Sequence, residues 1–325
     1  MSLASSPAPC IVYFGTTSRL SAPPLRALLD AGMDVRAIVL PALDPSLRAA
    51  PAIAPLPMTR ASVTFGAGSP RRLALPMAGT TAERNIVAVA AERGLPVFEV
   101  ARLADPETLA TLAVYSPDVI CVACFPLRLP PALLELPRFG CLNLHPALLP
   151  ENRGPDPLFW TFQRGQSETG VTIHRMDAGL DTGPILAQTR FTARDGVSEA
   201  ELERDLARLG AEQLVRVVGQ LFEGTAVATA QDESRATRFP WPTIGDYEIM
   251  PSWPARRAYR FARGILGRAQ PPWLRLDDLA FAVREPLGYD AEAVLGVTWR
   301  HDGDMLELQC SPGVLRARVA QYRDE

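Results

Sequence analysis

The sequence of 325 residues contains no lysine, so all 33 of its formally basic residues are arginine. A catalytic Schiff-base lysine and the phosphate-binding lysine of a P-loop are therefore excluded. Uncharged apolar runs stay well short of the roughly 18 residues that a membrane-spanning helix needs, so no membrane association is expected. The N-terminal stretch MSLASSPAP lacks the basic and apolar segments of a signal peptide, and none is expected.

A strong charge of either sign is also lacking. The formal net charge is −3, so no overall field draws the chain to nucleic acid or to an anionic membrane. The five cysteines are scattered and odd in number, which favours reduced thiols and a cytoplasmic location. Cys121 and Cys124 form a Cys-x-x-Cys pair, but a second pair that would complete a zinc site is missing. We expect two small core residues there, and no metal.

The first third of the chain alternates strand and helix patterns. CIVYFG (10–15) predicts a buried strand, APPLRALLDAG (22–32) an amphipathic helix, and VRAIVL (35–40) a second strand. The segment DVICVAC (118–124) is almost entirely apolar, as expected for a central parallel strand. These patterns predict an α/β domain with a Rossmann-like parallel sheet.

The rest of the chain predicts a connecting region and a second, smaller domain. Residues 1–195 would form the Rossmann-like domain, residues 196–240 a connecting helix and linker, and residues 241–325 a β-rich domain. A capping box of Ser198 and Glu201 marks the start of the long helix. Helical and strand periodicity disappear from Pro41 to Thr81, which predicts a long loop. That loop carries four arginines: Arg48, Arg60, Arg71 and Arg72.

One of only three histidines lies in the segment NLHPALLPENRG, residues 143–154. Asn143 and His145 are two residues apart on a predicted strand, so their side chains share one face. At the carboxyl edge of an α/β sheet both would point into the crevice where ligands bind. An asparagine amide can donate to a developing oxyanion, and a neutral imidazole can accept a proton. In isolation, a structural pair is the more frequent explanation of this pattern.

A second segment, TGVTIHRMDAGLDTGPIL (169–186), supplies a carboxylate. Asp181 would lie in a tight loop between two strands, where an aspartate often only caps the turn. An aspartate that faces a histidine can instead orient the ring and raise its pKa. His174, on the strand before this loop, would be either a site-wall residue or an ordinary strand residue.

The two segments together resemble the formyltransferase family that uses 10-formyltetrahydrofolate. The shared pattern is Asn-x-His followed by a Leu-Leu-Pro turn, then Arg-Gly, then an aspartate loop with glycine. The resemblance extends to IVYFGTTSRLSAPPLRALLDAG near the N-terminus, and GDMLELQCSPGVLRARV is similar to the OB-like C-terminal domain of the tRNA-formylating members. By position, it implies a catalytic trio of Asn143, His145 and Asp181. It also implies an enzyme with 10-formyltetrahydrofolate as its donor.

The resemblance further implies that two backbone segments bind the pterin ring of the folate. Their residues are Cys124, Phe125, Pro126, Leu127, Arg128 and Leu129 in the first, and Asp177, Ala178, Gly179 and Leu180 in the second. The residue types agree with this role, because Gly179 permits close approach of a ligand to the backbone. An apolar slot with free backbone groups suits a flat heterocycle.

The chain departs from the family pattern at several positions. Ala147 replaces the usual serine, and Glu151 lies where tRNA-formylating members tend to have a basic residue. The net negative charge also disfavours tRNA, because affinity for nucleic acid depends largely on phosphate contacts. The stretch GPDPLFW with Trp160 looks closer to members that act on amino sugars or hydroxyornithine-like amines. We therefore expect a small-molecule amine acceptor, with methionyl-tRNA as the alternative.

Other function classes remain open at this stage. A hydrolase that releases formate from formyltetrahydrofolate would use the same site. A non-catalytic nucleic-acid-binding protein with an OB-type tail is disfavoured by the intact trio and by the few aromatics in that tail. A nicotinamide oxidoreductase is disfavoured because no Gly-x-Gly-x-x-Gly follows the first strand.

Overall fold

The computed structural model describes residues 8–42, 51–56 and 85–321. The chain separates into two compact units that each combine distant parts of the sequence. Unit 1 comprises Met1–Arg153, Gly170–Arg190 and Arg204–Thr237, and unit 2 comprises Gly154–Thr169, Phe191–Glu203 and Arg238–Glu325.

Unit 1 is built on an eight-stranded sheet with the order β3-β4-β2-β1-β5-β6-β7-β8. Its strands are β1 (Cys10–Gly15), β2 (Asp34–Pro41), β3 (Ile53–Pro55), β4 (Val97–Val100), β5 (Val119–Ala123), β6 (Cys141–His145), β7 (Glu168–Arg175) and β8 (Ile185–Thr192). Strands β4, β2, β1, β5 and β6 are parallel neighbours. The pairs β3–β4 and β6–β7 are antiparallel. The Rossmann-like architecture is confirmed, but the sheet is mixed rather than wholly parallel.

Seven α-helices connect or cover the strands in the described part of the chain. They are α1 (Ala22–Asp30), α2 (Ile86–Arg93), α3 (Pro106–Ala113), α4 (Pro131–Leu134), α5 (Pro157–Gln163), α6 (Glu199–Glu223) and α7 (Ala255–Ile265). The predicted capping box starts α6, because Ser198 N–H donates to the Glu201 carboxylate and Glu201 N–H donates to Ser198 Oγ. Asn85 and Asp156 cap α2 and α5 with their side chains.

The core of unit 1 lies on both faces of its central strands. Ile11 and Tyr13 of β1 pack in one apolar cluster, while Val12 and Phe14 pack in the other. This alternation follows from the two-residue period of a strand. All six residues of β1 are buried, as expected for a strand that is covered on both sides.

Unit 2 contains a five-stranded antiparallel sheet with the order β11-β12-β13-β10-β9. Its strands are β9 (Trp273–Leu276), β10 (Leu279–Asp290), β11 (Trp299–Asp302), β12 (Met305–Gln309) and β13 (Val314–Gln321). The predicted β-rich second domain is confirmed. Helices α5 and α7 also belong to this unit, where Phe159 and Phe261 meet edge to face with ring centroids 5.8 Å apart.

Two stretches without clear periodicity contain ordered structure. The predicted loop from Pro41 to Thr81 includes β3, so the loop prediction was wrong at Ile53–Pro55. This strand has only three residues, too few for a periodic signal. The four arginines of the predicted loop, at positions 48, 60, 71 and 72, lie outside the described residues. The predicted linker includes a 3-10 turn at Glu233–Arg235, and a second 3-10 turn follows it at Ile244–Tyr247.

Candidate active site

Asn143 and His145 lie at the carboxyl end of β6, which pairs in parallel with the central strand β5. His145 is buried and Asn143 is half-buried. The antiparallel neighbour β7 places His174 directly opposite Asn143 and Thr172 directly opposite His145. Opposed residues of an antiparallel pair project from the same face of the sheet. The strand register therefore gathers polar side chains from two strands at one point.

Asp181 reaches the same point from the loop between β7 and β8. Its Oδ1 lies 3.3 Å from Asn143 Nδ2, 3.7 Å from His145 Nδ1 and 3.5 Å from His174 Nε2. The residue has a positive φ of 56°, a conformation that aspartate tolerates better than most residues. The structure thus brings together all three members of the predicted trio.

His174 is the fourth member of this cluster, and its role was left open by the sequence. Its ring is 2% exposed, and its Nε2 lies 3.2 Å from Asn143 Nδ2. The signal that would have identified it is the β6–β7 register, which sequence patterns do not reveal. His174 therefore belongs to the wall of the site and not to an ordinary strand face.

Backbone carbonyls fix which nitrogen of each imidazole donates a hydrogen bond. The carbonyl of Asn152 lies 2.9 Å from His145 Nε2 and can only accept, so Nε2 carries the proton. His174 Nδ1 is likewise 3.1 Å from the Arg175 carbonyl and donates to it. In each ring the other nitrogen is then the one that faces Asp181 Oδ1. Asn143 Nδ2 donates into the same space, toward Asp181 Oδ1 and His174 Nε2.

Asp181 raises the pKa of His145, as expected, but it does not determine the net direction of the shift. Burial lowers the pKa of His145 below its ordinary value, and the Asp181 carboxylate offsets only part of that effect. The neighbouring His174 lowers the pKa of His145 further, whereas the hydrogen bond to Asn152 raises it. The net direction is downward, so the neutral imidazole that accepts protons is the favoured form.

The turn after β6 is held by Thr172. Its hydroxyl donates to the Ala147 carbonyl at 2.7 Å and accepts from Leu149 N–H at 3.2 Å. Ala147 itself is fully buried. The turn therefore has side-chain hydrogen bonds even though alanine replaces the serine of the family pattern.

The two predicted folate-binding segments face each other. Arg128 Nη2 donates to the carbonyl of Ala178, which links the segment after β5 to the loop before Asp181. Leu127 and Leu180 are 38% and 42% exposed, one on each segment. Each of the two segments therefore exposes one large apolar side chain.

The remaining residues of these segments shape the loops. Asp177 Oδ1 accepts from Gly179 N–H at 3.0 Å and from the Thr182 hydroxyl at 2.6 Å. A side chain at Gly179 would lie 1.9 Å from Thr182 Oγ1, so only glycine fits. Phe125 packs edge to face on Phe14, with ring centroids 5.1 Å apart. Four other residues of the two segments differ in exposure and conformation. Cys124 has a left-handed backbone, Pro126 is half-buried, Ala178 is exposed, and the side chain of Leu129 lies in the core.

The Cys-x-x-Cys pair is split by the end of β5. Cys121 is buried in the strand, whereas Cys124 lies beyond it with a positive φ of 58°. The expectation that both lie in a buried strand was therefore wrong for Cys124. Burial raises the pKa of the Cys121 thiol far above its ordinary value, and an inert core thiol fits this environment. The five cysteines all lie in the described ranges and form no disulfide there.

Trp160 and Arg153 have structural partners. Trp160 stacks on Phe239 with ring centroids 4.7 Å apart and donates from Nε1 to the Pro240 carbonyl. It is 7% exposed, so its link to small-amine acceptors has no support from its surroundings. Arg153 is fully buried and holds the side chains of Gln231 and Glu233.

Within residues 8–42, 51–56 and 85–321, the His, Cys, Asp and Glu side chains form no group of three or more that could hold a metal ion. Over the same ranges, the helices are too short or too polar to cross a membrane.

Residues 74–218 match the family described as Formyl transferase. Methionyl-tRNA formyltransferase from Aromatoleum aromaticum (strain DSM 19018 / LMG 30748 / EbN1) is 33% identical over 322 residues, which cover 97% of this chain and 90% of that protein. The chain belongs to the formyltetrahydrofolate-dependent formyltransferase family.

Other similarities are more limited in extent or in identity. Methionyl-tRNA formyltransferase from Synechococcus sp. (strain JA-3-3Ab) is 39% identical over 178 residues, and this match spans 54% of this chain and 55% of that relative. The N-formyltransferase from Helicobacter canadensis has the same fold, with a TM-score of 0.59 at 14% identity. That comparison covers 97% of this chain and all of the other. The family members differ in acceptor, so membership alone does not identify the acceptor of this chain.

Proposed function

We propose that this formyltransferase moves the formyl group of 10-formyltetrahydrofolate to the primary amine of a small molecule. The observation that carries the proposal is the cluster of Asn143, His145 and Asp181 at the carboxyl end of β6. Asn143 Nδ2 and His145 Nδ1 lie 3.3 and 3.7 Å from Asp181 Oδ1. An amide donor, a neutral imidazole and a carboxylate are the groups that acyl transfer to an amine requires.

The donor supplies an activated formyl group, and the residues of the chain supply hydrogen bonds and proton acceptors. Asn143 Nδ2 would donate to the formyl oxygen as negative charge develops there, because amide donors stabilise such charge in a desolvated site. In the structure both of its hydrogens point toward His174 and Asp181. One of these contacts would be exchanged when the donor binds.

His145 and Asp181 would handle the proton that the attacking amine loses. The amine nitrogen forms a bond to the formyl carbon, the bond from that carbon to the folate nitrogen breaks, and one proton moves from the amine to the leaving nitrogen. His145 Nδ1 is the unprotonated nitrogen that faces the cluster, so it is the acceptor of choice. Asp181 stabilises the imidazolium that this transfer creates.

The folate would bind between the segment after β5 and the loop before Asp181. The residues fit this role, because Leu127 and Leu180 offer apolar contact and residues 177–180 are exposed. The H. canadensis enzyme was crystallised with folinic acid and dTDP-3-aminofucose. A folate donor and an amino-sugar acceptor therefore have a precedent on this fold.

The arginines of α7 favour a small acceptor over tRNA. If the chain bound tRNA, the segment ARRAYRFARG would be the expected source of phosphate contacts. Arg257 instead donates to the Gln163 carbonyl and stacks on Trp253, with its guanidinium carbon 3.9 Å from the ring centroid. Arg256 and Arg260 both pair with Asp195, at 3.4 and 3.3 Å. Three of the four arginines are thus committed within unit 2.

Methionyl-tRNA is the second candidate acceptor. It is favoured by the match to the A. aromaticum methionyl-tRNA formyltransferase, which extends over 97% of this chain and includes the β-rich unit. Arg60, Arg71 and Arg72, the other basic residues expected to contact phosphates, lie outside the described residues. The two candidates therefore differ in one requirement: methionyl-tRNA needs arginines that contact its phosphates, whereas a small amine does not need a long basic surface.

Parallel assays, each with a single acceptor, distinguish the small-amine proposal from the methionyl-tRNA alternative. Purified protein is incubated with 10-formyltetrahydrofolate and with dTDP-3-aminofucose, methionyl-tRNA or no acceptor, and tetrahydrofolate release is followed by absorbance. The proposal predicts acceptor-dependent release with the amino sugar and weak dependence on salt. For tRNA held by about four phosphate contacts, log K would fall by roughly 2.8 per decade of salt.

Each alternative has its own outcome. Efficient, salt-sensitive formylation of methionyl-tRNA would replace the small-amine proposal by the second candidate. Release of tetrahydrofolate and formate without any acceptor would identify a hydrolase. Absence of folate turnover, combined with binding of single-stranded nucleic acid, would favour a non-catalytic binding protein.

A further inference from the structure

The segment from Thr229 to Thr237, here called the strap, crosses two loops of unit 1. Its first residue pairs with Ile185 through two backbone hydrogen bonds of 2.8 Å. Its last residue, Thr237, accepts Asn152 N–H on its hydroxyl at 2.8 Å and Arg153 N–H on its carbonyl at 2.9 Å. The strap therefore contacts the loop that carries Asp181 and the loop whose Asn152 carbonyl holds His145.

Gln231 occupies the centre of the strap and touches both loops with one side chain. Its Nε2 donates to the carbonyls of Asp181 and Gly183, at 2.8 and 2.7 Å. Its Oε1 accepts from Arg153 Nε and Nη2, at 3.1 and 2.7 Å. All four contacts have hydrogen-bond geometry.

The orientation of the Gln231 amide is fixed by its neighbours. Arg153 can only donate, so the amide oxygen must face it, and the two carbonyls can only accept, so the amide nitrogen must face them. Arg153 is itself fully buried, and the Glu233 carboxylate receives it at 3.0 and 2.6 Å. Glu233 therefore fixes the guanidinium of Arg153, and Arg153 in turn fixes the amide of Gln231.

The contacts of Gln231 stabilise the left-handed backbone conformation of Asp181, whose φ is 56°. A non-glycine residue in this conformation persists when its surroundings over-determine it. Gln231 holds the carbonyl of Asp181 and that of Gly183 two residues later. A side chain at Gly183 would lie 1.8 Å from the Arg175 carbonyl, so this turn is also tightly packed on its other side.

We propose that Gln231 is a positioning residue that holds Asp181 against His145 and Asn143. This inference rests on the proposed function, because it assumes that Asp181 acts in formyl transfer. A residue of the predicted linker then contributes to the site. Gln231 holds the Asp181 loop from 50 residues further along the chain, and Arg153 orients Gln231.

Gln231→Glu tests the donor side of this arrangement. Glutamate keeps the length and still accepts from Arg153, but it turns a carboxylate toward two carbonyls that need donors. With dTDP-3-aminofucose and, in parallel, methionyl-tRNA as acceptors, kcat should fall by on the order of 10²-fold with little change in either KM. Gln213→Glu is the matched control, because Gln213 also accepts from an arginine, Arg216, but lies on α6 and not on the strap. Its kcat should stay unchanged.

A double-mutant cycle distinguishes positioning from general damage. Asp181→Asn keeps a residue that tolerates the left-handed conformation and removes the charge, so its kcat should fall strongly. If Gln231 acts through Asp181, adding Gln231→Glu to Asp181→Asn should reduce kcat little further. Multiplicative losses would overturn the positioning role. An unchanged kcat in Gln231→Glu, beside an inactive Asp181→Asn, would overturn it too, whereas full activity of Asp181→Asn would instead refute the proposed function.

A second variant gives a readout that needs no acceptor and covers the case in which Gln231→Glu does not fold. Gln231→Met has similar length and removes both the donors and the acceptor. Asp181 raises the pKa of His145, so a displaced Asp181 should let that pKa fall toward its value in Asp181→Asn. NMR titration of the free protein measures it. A His145 titration identical to that of the unaltered protein would contradict the proposal.

Discussion

Two buried clusters of charged and polar side chains, one in each unit, differ in how completely their hydrogen bonds are used. In unit 2, Arg268 meets Asp156 through Nη1 at 2.6 Å and Nη2 at 2.8 Å, and it meets Glu199 through Nε at 2.8 Å and Nη2. All three side chains are at most 11% exposed. In unit 1, the distances from Asp181 to the two histidines are 3.5 and 3.7 Å.

The first cluster is saturated. Every nitrogen of the Arg268 guanidinium donates to a carboxylate, and Asp156 also accepts from Phe159 N–H at the start of α5. Asp156 and Glu199 lie at the N-terminal ends of α5 and α6, where the helix dipole favours negative charge. Burial opposes the charge of Arg268, but the two carboxylates outweigh it and raise the pKa. Such a cluster fixes geometry and has no capacity left for a substrate.

The second cluster is more loosely paired, and it is called unsaturated here because its histidine–carboxylate distances of 3.5 and 3.7 Å are longer than ordinary hydrogen bonds. Asn143 Nδ2 lies between these groups, 3.3 Å from Asp181 Oδ1 and 3.2 Å from His174 Nε2. The rings and the carboxylate are therefore not locked to one another as the groups around Arg268 are. The comparison therefore separates a cluster that stabilises the fold from a cluster that can take part in chemistry, although both are buried and charged.

The largest expected effect is on stability and comes from the saturated cluster. Arg268→Met leaves two buried carboxylates without their cation, which should lower the free energy of unfolding by about 3–5 kcal/mol. Urea denaturation measures this loss. The control is Arg316→Met, which breaks a half-exposed pair with Glu307 in the same unit and should cost at most about 1 kcal/mol. Equal losses in both variants would mean that the Arg268 cluster is not a stabilising centre.

The next effect is on catalysis and comes from the unsaturated cluster. Asn143→Ala should lower kcat by about 10²–10³-fold, equivalent to about 2.7–4 kcal/mol, because an oxyanion donor acts mainly in the transition state. Folding and folate binding should be nearly unchanged, as judged by urea denaturation and by quenching of protein fluorescence with tetrahydrofolate. Comparable turnover by the variant would refute the role given to Asn143.

The parts of the molecule that sequence patterns predicted are those determined locally. The opening strand–helix–strand, the capping box of α6 and the trio of Asn143, His145 and Asp181 all depend on short spacings or on one resemblance. His174 was left open because its place depends on the antiparallel register of β6 with β7. Gln231 was missed because its partners are Arg153 and the Asp181 loop, each 48 or more residues away. Contacts of that kind leave no periodic signal in one sequence.

A smaller effect is expected at His174. Its Nδ1 faces the Arg175 carbonyl, so Nε2 is the nitrogen that accepts from Asn143 Nδ2 at 3.2 Å. His174→Phe removes this acceptor while it keeps a buried ring. The loss of one neutral hydrogen bond, about 1 kcal/mol, should lower kcat by about fivefold through a less ordered Asn143. Steady-state kinetics measure this loss. In the Asn143→Ala background the same substitution should have little effect, and a full fivefold loss there would show that His174 acts on another group.

The smallest effect is a shift in the protonation of His145. Because burial lowers the pKa of His145 and Asp181 only partly offsets this, its imidazole should titrate below the ordinary histidine value of about 6.5. Asp181→Asn removes the offset, so the pKa should fall further. NMR titration of the free protein measures both, with His174→Phe and His301→Gln variants to assign the other two rings. This readout avoids the protonation of the acceptor amine, which would dominate a pH–rate profile.

The same shift has a consequence for stability whose sign is fixed. As pH falls below about 6.5, His145 of the unfolded chain takes up a proton that the folded protein does not bind. The unfolded state then binds more protons, so this residue lowers the free energy of unfolding as the pH falls, until the folded imidazole titrates as well. His145→Gln should flatten that part of the pH–stability curve. A His145 that titrates above its ordinary value would reverse this sign, and would mean that Asp181 outweighs burial in the unsaturated cluster.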